Sequence, residues 1–276
     1  MQIKHSLSIQ KMIKKLFRFF KYSRQEQRKR MLIKIKMLFA IPFYFGKANS
    51  PSTIIAYQPD SYAHFSNHKE FDNLFKCFIS ENKLNNAGDV PRLWSLILNI
   101  KKILEENIQG DFAELGVWRG NTASILAYYA FIADRNVYLF DTFEGFNASD
   151  LQGVDNEKAV EFSDTSLATV KKIIGPLNVT KCHFVKGHFP SSITKEHRNK
   201  KYSIVSIDCD LYAPMKAGLE FFYPLMPKGG LLLLHDYSSM FWKGAKKAID
   251  EFCQNNNEHV ILMPDKSGSA FIRISK

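Results

Sequence analysis

Asp208 and Asp210 flank Cys209 immediately after the β-branched, apolar run 202–207, and His235-Asp236 follow a second apolar run, 231–234. Carboxylates gathered without Lys or Arg between them repel one another unless a proton or a cation joins them. In an open parallel sheet, ligands bind at the carboxyl ends of the strands. Asp208 or Asp210 is therefore expected to converge with His235 and Asp236 on one pocket. A hard ion such as Mg²⁺, with oxygen ligands and retained waters, suits such a cluster. The alternative is a pair of strand-end caps open to solvent.

A second group of residues suits a nucleotide-like cofactor. Glu114-Leu115-Gly116-Val117-Trp118-Arg119-Gly120-Asn121-Thr122 joins a strand to a helix, with glycines where the backbone must come close to a ligand. Its E-x-G-x-x-x-G spacing differs from the G-x-G-x-x-G of dinucleotide enzymes, so a pyrophosphate clamp is poorly supported. About 25 residues on, Asp141 closes the next strand, placed to hold both ribose hydroxyls. Taken singly, the turn could be a tight connection and Asp141 a cap; at this spacing on successive strands they point to adenosine.

The elements that must position these residues alternate along the chain. Helical periodicity over 93–107, 122–132, 166–174, 215–223 and 243–255 separates strand-like runs at 111–116, 137–140, 183–185, 202–207, 231–234 and 271–274. This is the pattern of an α/β fold: a mostly parallel central sheet with helices on both faces. An α/β domain over 92–276, a connection or lid over 51–91 and an arm over 1–50 are the expected divisions. His64 and His68, four residues apart in the loop-rich stretch 46–68, lack a third ligand nearby and read as lid or surface residues.

Charge is unevenly placed. The net charge is +11, yet residues 1–50 carry thirteen Lys or Arg against one acidic residue, Glu26, so the excess belongs to the arm and the remainder sums to about −1. Ile9, Met12, Ile13, Leu16 and Phe20 recur at helical spacing among lysines and arginines, the pattern of a basic amphipathic helix. Residues 1–45 are thus expected to dock on an anionic membrane surface or, equally, to pack against the catalytic domain or a partner subunit. No nucleic-acid-reading module is recognisable, so no nucleic acid is expected. The longest uncharged apolar run near the arm, 37–45, is too short to span a bilayer and contains Pro42. Four cysteines without CxxC pairing and the absence of a signal-peptide pattern lead to the expectation of a cytoplasmic protein, peripheral on the inner membrane surface if the arm docks there.

The segments DFAELGVWRGNTA, LFDTFEGF, FSDTS, VKGHFP, IDCDLYAPMKAGLEFFYPLMPKGG, HDY and GAKKAIDEF occur in order over about residues 90–255. In this the chain resembles the macrocin O-methyltransferase family of sugar O-methyltransferases. The resemblance implies a Rossmann-like class I methyltransferase that binds S-adenosylmethionine through Glu114, Gly116, Val117, Gly120, Thr122 and Asp141. It places Gly187 and His188 at the adenine edge, Asp208 beside the donor, and Asp164-Thr165 on a loop closing over the site. It also implies a divalent ion, Mg²⁺ with Mn²⁺ as the alternative, held by Asp208, the residue at 235 and Asp236. His235 stands where the family commonly has Asp, and a nitrogen ligand shifts preference toward Mn²⁺, Fe²⁺ or Zn²⁺.

The expected chemistry is methyl transfer to a hydroxyl of a sugar, glycosylated small molecule or glycan presenting vicinal oxygens. Asp208, His235 and Asp236 form the catalytic cluster, with Asp210 behind them. Two competing classes are a metal-dependent glycosyltransferase using the DxD at 208–210 and a non-catalytic docking protein with a vestigial cofactor fold. A homo-oligomer is compatible with either enzyme reading.

Overall fold

The structure is a computed structural model and describes residues 69–276. The basic arm, the connection 46–68, and His64 and His68 lie outside the described residues.

Seven strands form one sheet in the order β3-β2-β1-β4-β5-β7-β6. They are β1 (Asp111–Leu115), β2 (Val137–Asp141), β3 (Cys182–Lys186), β4 (Tyr202–Ile207), β5 (Leu231–Leu234), β6 (Ile261–Leu262) and β7 (Ala270–Arg273). The first five pair in parallel, while β7 runs antiparallel to both β5 and β6. The helices are α1 (Lys69–Ile79), α2 (Lys83–Asn86), α3 (Val90–Glu105), α4 (Asn121–Ile132), α5 (Leu167–Ile174), α6 (Lys195–Arg198), α7 (Tyr212–Phe222) and α8 (Lys243–Asn256).

Alternation along the strands divides the core between the two faces of the sheet. Phe112, Val137, Leu139, Ile204 and Leu231 join residues of α1, α3, α4 and α5 in one buried cluster. Their neighbours Ala113, Tyr138, Phe140, Val205 and Leu232 join α7 and α8 in another. β4 is buried at every position, as a central strand covered on both faces must be. The expected mainly parallel sheet with helices on both faces is what the chain forms.

The differences are local. Helices α1 and α2 occupy part of the stretch 51–91, and α3 begins at Val90, with Pro91 in its first turn, three residues before the periodicity shows it. The hairpin strand β6 was not expected: two exposed residues carry no periodicity to read.

Registry explains how the site assembles. Leu115 lies opposite Phe140 and Ile207, and Ile207 opposite Leu234, so these four residues form one row across the sheet. The next residue of each strand or strand exit, Gly116, Asp141, Asp208 and His235, therefore emerges side by side at a single edge. Backbone bonds continue the ladder there: Asp208 N–H donates to Leu115 O at 2.8 Å and His235 N–H to Ile207 O at 3.0 Å.

Candidate active site

A cavity of about 370 Å³ opens at that edge, within the range of small-molecule sites. Glu114, Gly116, Val117, Thr122, Asp141, Gly187, His188, Asp208, His235 and Asp236 all line it, while Gly120 supports the turn from behind.

On one side, Asp141 organises the glycine turn. Its Oδ2 accepts from Val117 N–H at 2.6 Å and Trp118 N–H at 2.9 Å, and its Oδ1 accepts from Phe143 N–H at 2.5 Å. A carboxylate has about four acceptor positions, so this one keeps capacity for a further donor. Glu114 is buried, its Oε2 has no hydrogen-bond partner, and burial, followed by Asp208 and Asp141, pushes its carboxyl well above the usual range. The glycines answer to the protein's own chain as well as to any ligand. Gly116 has φ +84°, and a Cβ there would lie 1.9 Å from the Asp208 carbonyl oxygen; at Gly120, φ +86°, it would meet Val170.

His188 pairs with Asp150 at 2.9 Å, which ties the end of β3 to the loop after β2. Across the turn, Asp164 accepts from the Trp118 indole N–H at 2.8 Å and also pairs with Arg119, while Thr165 donates to the Trp118 carbonyl. The 164–165 segment is thus fastened over the glycine turn.

The acidic side contains Asp208, Asp210, His235 and Asp236. His235 Nδ1 lies 2.8 Å from Asp208 Oδ1 and 2.5 Å from Asp236 Oδ2. Burial opposes charge on His235, but the two carboxylates outweigh it and raise its pKa well above the ordinary value. Burial likewise opposes charge on Asp208, but His235, and after it Arg92, hold that carboxyl below the usual range. Asp210 is different: burial, then repulsion from Asp208 and Asp236, pushes it well up. Asp210 and Asp236 turn the chain with left-handed φ of 58° and 59°.

Several participants were not singled out from the sequence. Arg92, at the start of α3, lies against His235 Nε2, and Asn86 holds the same guanidinium. Asp150 pairs with His188, and Phe146, Phe162 and Trp242 build an aromatic wall, with Phe146 5.1 Å from Phe162 and 5.7 Å from Trp242 between ring centres. Arg92 sits just before an unbroken apolar face, and the aromatics lie in irregular segments, so neither shows a pattern.

The chain is similar to known proteins in sequence and fold. Residues 88–271, well over half the chain, match the family model described as Macrocin-O-methyltransferase (TylF). The mycinamicin III 3''-O-methyltransferase of Micromonospora griseorubida is 29% identical over 54% of this chain and 63% of its own length. The 8-demethyl-8-(2,3-dimethoxy-alpha-L-rhamnosyl)-tetracenomycin-C 4'-O-methyltransferase of Streptomyces olivaceus is 26% identical over 54% of this chain and 61% of its own length. The chain therefore spans less than two thirds of those two relatives. Among solved structures, the O-methyltransferase NovP gives a TM-score of 0.58 at 23% identity, covering 68% of this chain and 81% of its own. The calicheamicin methyltransferase CalS11 gives 0.54 at 19%, covering 82% and 99%. These likenesses show a Rossmann-like class I methyltransferase fold, and the match over 88–271 takes in every residue of the cavity edge from Glu114 to Asp236: the chain belongs to the macrocin O-methyltransferase (TylF) family.

Proposed function

We propose that this chain transfers a methyl group from S-adenosylmethionine to a hydroxyl of a sugar, glycosylated small molecule or glycan. One observation carries the reading: four neighbouring strand ends present Gly116, Asp141, Asp208 and His235 side by side on one cavity. Family membership and the sugar-hydroxyl reactions in the names of the two relatives support the same chemistry. The glycosyltransferase reading of the DxD has no such support.

The donor's side of the cavity fits a cationic adenosyl ligand. The unpartnered buried Oε2 of Glu114 calls for a hydrogen-bond donor, and Asp141 has acceptor capacity left for a hydroxyl. Bound there, S-adenosylmethionine supplies a methyl group activated by sulfonium. The chain's own part is positional. The aromatic wall of Phe146, Phe162 and Trp242 offers apolar faces to a sugar ring and excludes water. Asp208 and Asp236 offer carboxylate oxygens to the acceptor hydroxyl. As the O–CH₃ bond forms and the C–S bond breaks, the hydroxyl proton passes to one of these carboxylates and the donor leaves as a neutral thioether.

The sequence also leads to the expectation of a divalent ion held by Asp208, His235 and Asp236, and their potential ligand atoms do lie within 4.8 Å of one another. The surroundings of the ring do not suit a ligand, however. A metal-bound imidazole donates its other N–H to an acceptor, whereas here the other nitrogen faces Arg92, a group with donors only.

We also propose, from sequence alone, that the basic arm docks on an anionic membrane surface and brings the site to acceptors held there.

Titration calorimetry with S-adenosylhomocysteine, followed by incubation with S-adenosylmethionine and a panel of deoxysugar glycosides, tests the main reading. Binding of the product and gain of one methyl group by an acceptor are expected. Absence of S-adenosylhomocysteine binding to folded protein would overturn it.

A further inference from the structure

We infer that Arg92 supplies, from within the chain and through the Nδ1–H of His235, the positive charge that the acidic cluster needs, so that Asp208 and Asp236 work with no divalent ion between them. The inference rests on the methyltransferase reading for its purpose, but not for its geometry.

The polarity of the hydrogen bonds carries it. His235 Nε2 meets an Arg92 Nη1, and a guanidinium has N–H groups and no acceptor. The two carboxylates favour a charged ring, but with the guanidinium against it Nε2 must accept, which leaves the ring hydrogen on Nδ1. That is the nitrogen lying 2.8 Å from Asp208 and 2.5 Å from Asp236, where an N–H has two carboxylate oxygens to donate to. A ring arranged this way has no lone pair free for a metal at the only nitrogen that faces the carboxylates.

Arg92 is fixed in this position by several independent contacts. Its Nε forms an ion pair with Asp89 Oδ2 at 3.1 Å, its Nη2 donates to Asn86 Oδ1 at 2.5 Å, and the guanidinium lies 4.9 Å from the centre of the Phe78 ring. Its anchors are fixed in turn. Asn86 Nδ2 donates to the Phe78 carbonyl at 2.6 Å, which sets the direction of the amide, and the buried Asp89 accepts from Lys266 N–H at 3.1 Å. A dication at Nδ1 would have to form beside this guanidinium and against its charge. The resemblance already marks position 235 as the one place in the ligand set where this chain carries His for Asp. An acidic residue there would add a negative charge to the cluster, whereas His235 backed by Arg92 adds none and presents an N–H to both carboxylates. Arg92 is a positioning residue: it acts on the carboxylates through the tautomer of His235.

The test uses the full chain and does not depend on an acceptor. Long-range ¹⁵N NMR of the imidazoles, with His235→Gln to assign the resonance, is expected to show hydrogen on Nδ1 of His235. Electron paramagnetic resonance titration with Mn²⁺ is expected to show no saturable site in the native chain. In Arg92→Met the second nitrogen is released, and a saturable Mn²⁺ site should appear that the native chain lacks. Circular dichroism and a cooperative melting transition confirm that the variant is folded. A native chain that takes up one Mn²⁺ in a site abolished by Asp208→Asn would overturn the inference. So would a His235 ring with bare Nδ1, or a folded Arg92→Met with unchanged Mn²⁺ binding. Failure to bind S-adenosylhomocysteine would instead defeat the methyltransferase reading, while the NMR and Mn²⁺ results would still decide the role of Arg92.

Discussion

The carboxylate of Asp141 does more at this site than any other single group, because three backbone N–H groups of two separate segments converge on it. Hydrogen bonds to charged groups are each worth about 1.5–3 kcal/mol, and about 1.4 kcal/mol is tenfold in affinity. Asp141→Ala should therefore weaken S-adenosylhomocysteine binding at least about tenfold by calorimetry. Gly116 makes the sharper structural prediction. A methyl group at φ +84°, 1.9 Å from the Asp208 carbonyl, forces β1 and β4 apart. Gly116→Ala should cost more than the roughly 1–3 kcal/mol of ordinary overpacking, seen as a depressed melting temperature. At this scale the sequence was partly legible. Gly116, Asp141, Asp208 and His235 could be read because each ends an apolar strand, and strand ends in such sheets face one crevice. Arg92 could not, since a lone cation at the start of a helix looks the same whether it meets solvent or a buried ring.

Among the elements, the segments between strands hold the site closed. Asp155 lies in the loop after β2, is buried, and accepts at 2.7 Å from Tyr212 N–H, the first donor of α7. A Cβ at Gly244, near the start of α8, would strike the same carboxylate at 2.3 Å. One side chain thus ties the loop to the entry of α7 and packs against the start of α8. Asp155→Ala should cost about 1 kcal/mol, as losing a cap does, which is roughly 2–4 °C in a domain of this size. It should also speed limited proteolysis within 148–160. The Asp164 tie gives a pH dependence. The Trp118 indole N–H, and after it Arg119, hold the Asp164 carboxyl below the usual range, against burial. A carboxylate whose folded pKa is depressed contributes stability that is complete above its unfolded value of about 3.9 and fades as pH falls through the lower folded value. Trp118 emission is expected to change only in acid, below about pH 4, and Asp164→Asn should abolish that transition. Periodicity revealed the long helices and buried strands, whose alternation the core enforces. These loops remained opaque because irregular backbone is fixed by contacts far apart in sequence, such as Asp155 with Tyr212.

For the whole molecule, the division of charge separates attachment from chemistry. The excess of twelve positive charges lies in residues 1–50, outside the described residues, and the rest of the chain is close to neutral. Flotation with anionic vesicles should retain the full chain at low salt and release it as salt rises, and a chain beginning at Pro59 should not float. Zwitterionic vesicles that bind both equally would count against docking by charge. Among the described residues no helix is long and apolar enough to cross a membrane. The layout of the cavity has a separate consequence for how such proteins diversify. Gly116, Asp141, Asp208 and His235 emerge at the ends of sheet strands, whereas Phe146, Phe162 and Trp242 belong to connections outside the sheet. On the proposed reaction, exchange of those connections would redirect the methyl group to a new alcohol while the strand ends stay in place, so acceptor range is free to drift on a scaffold that itself stays still.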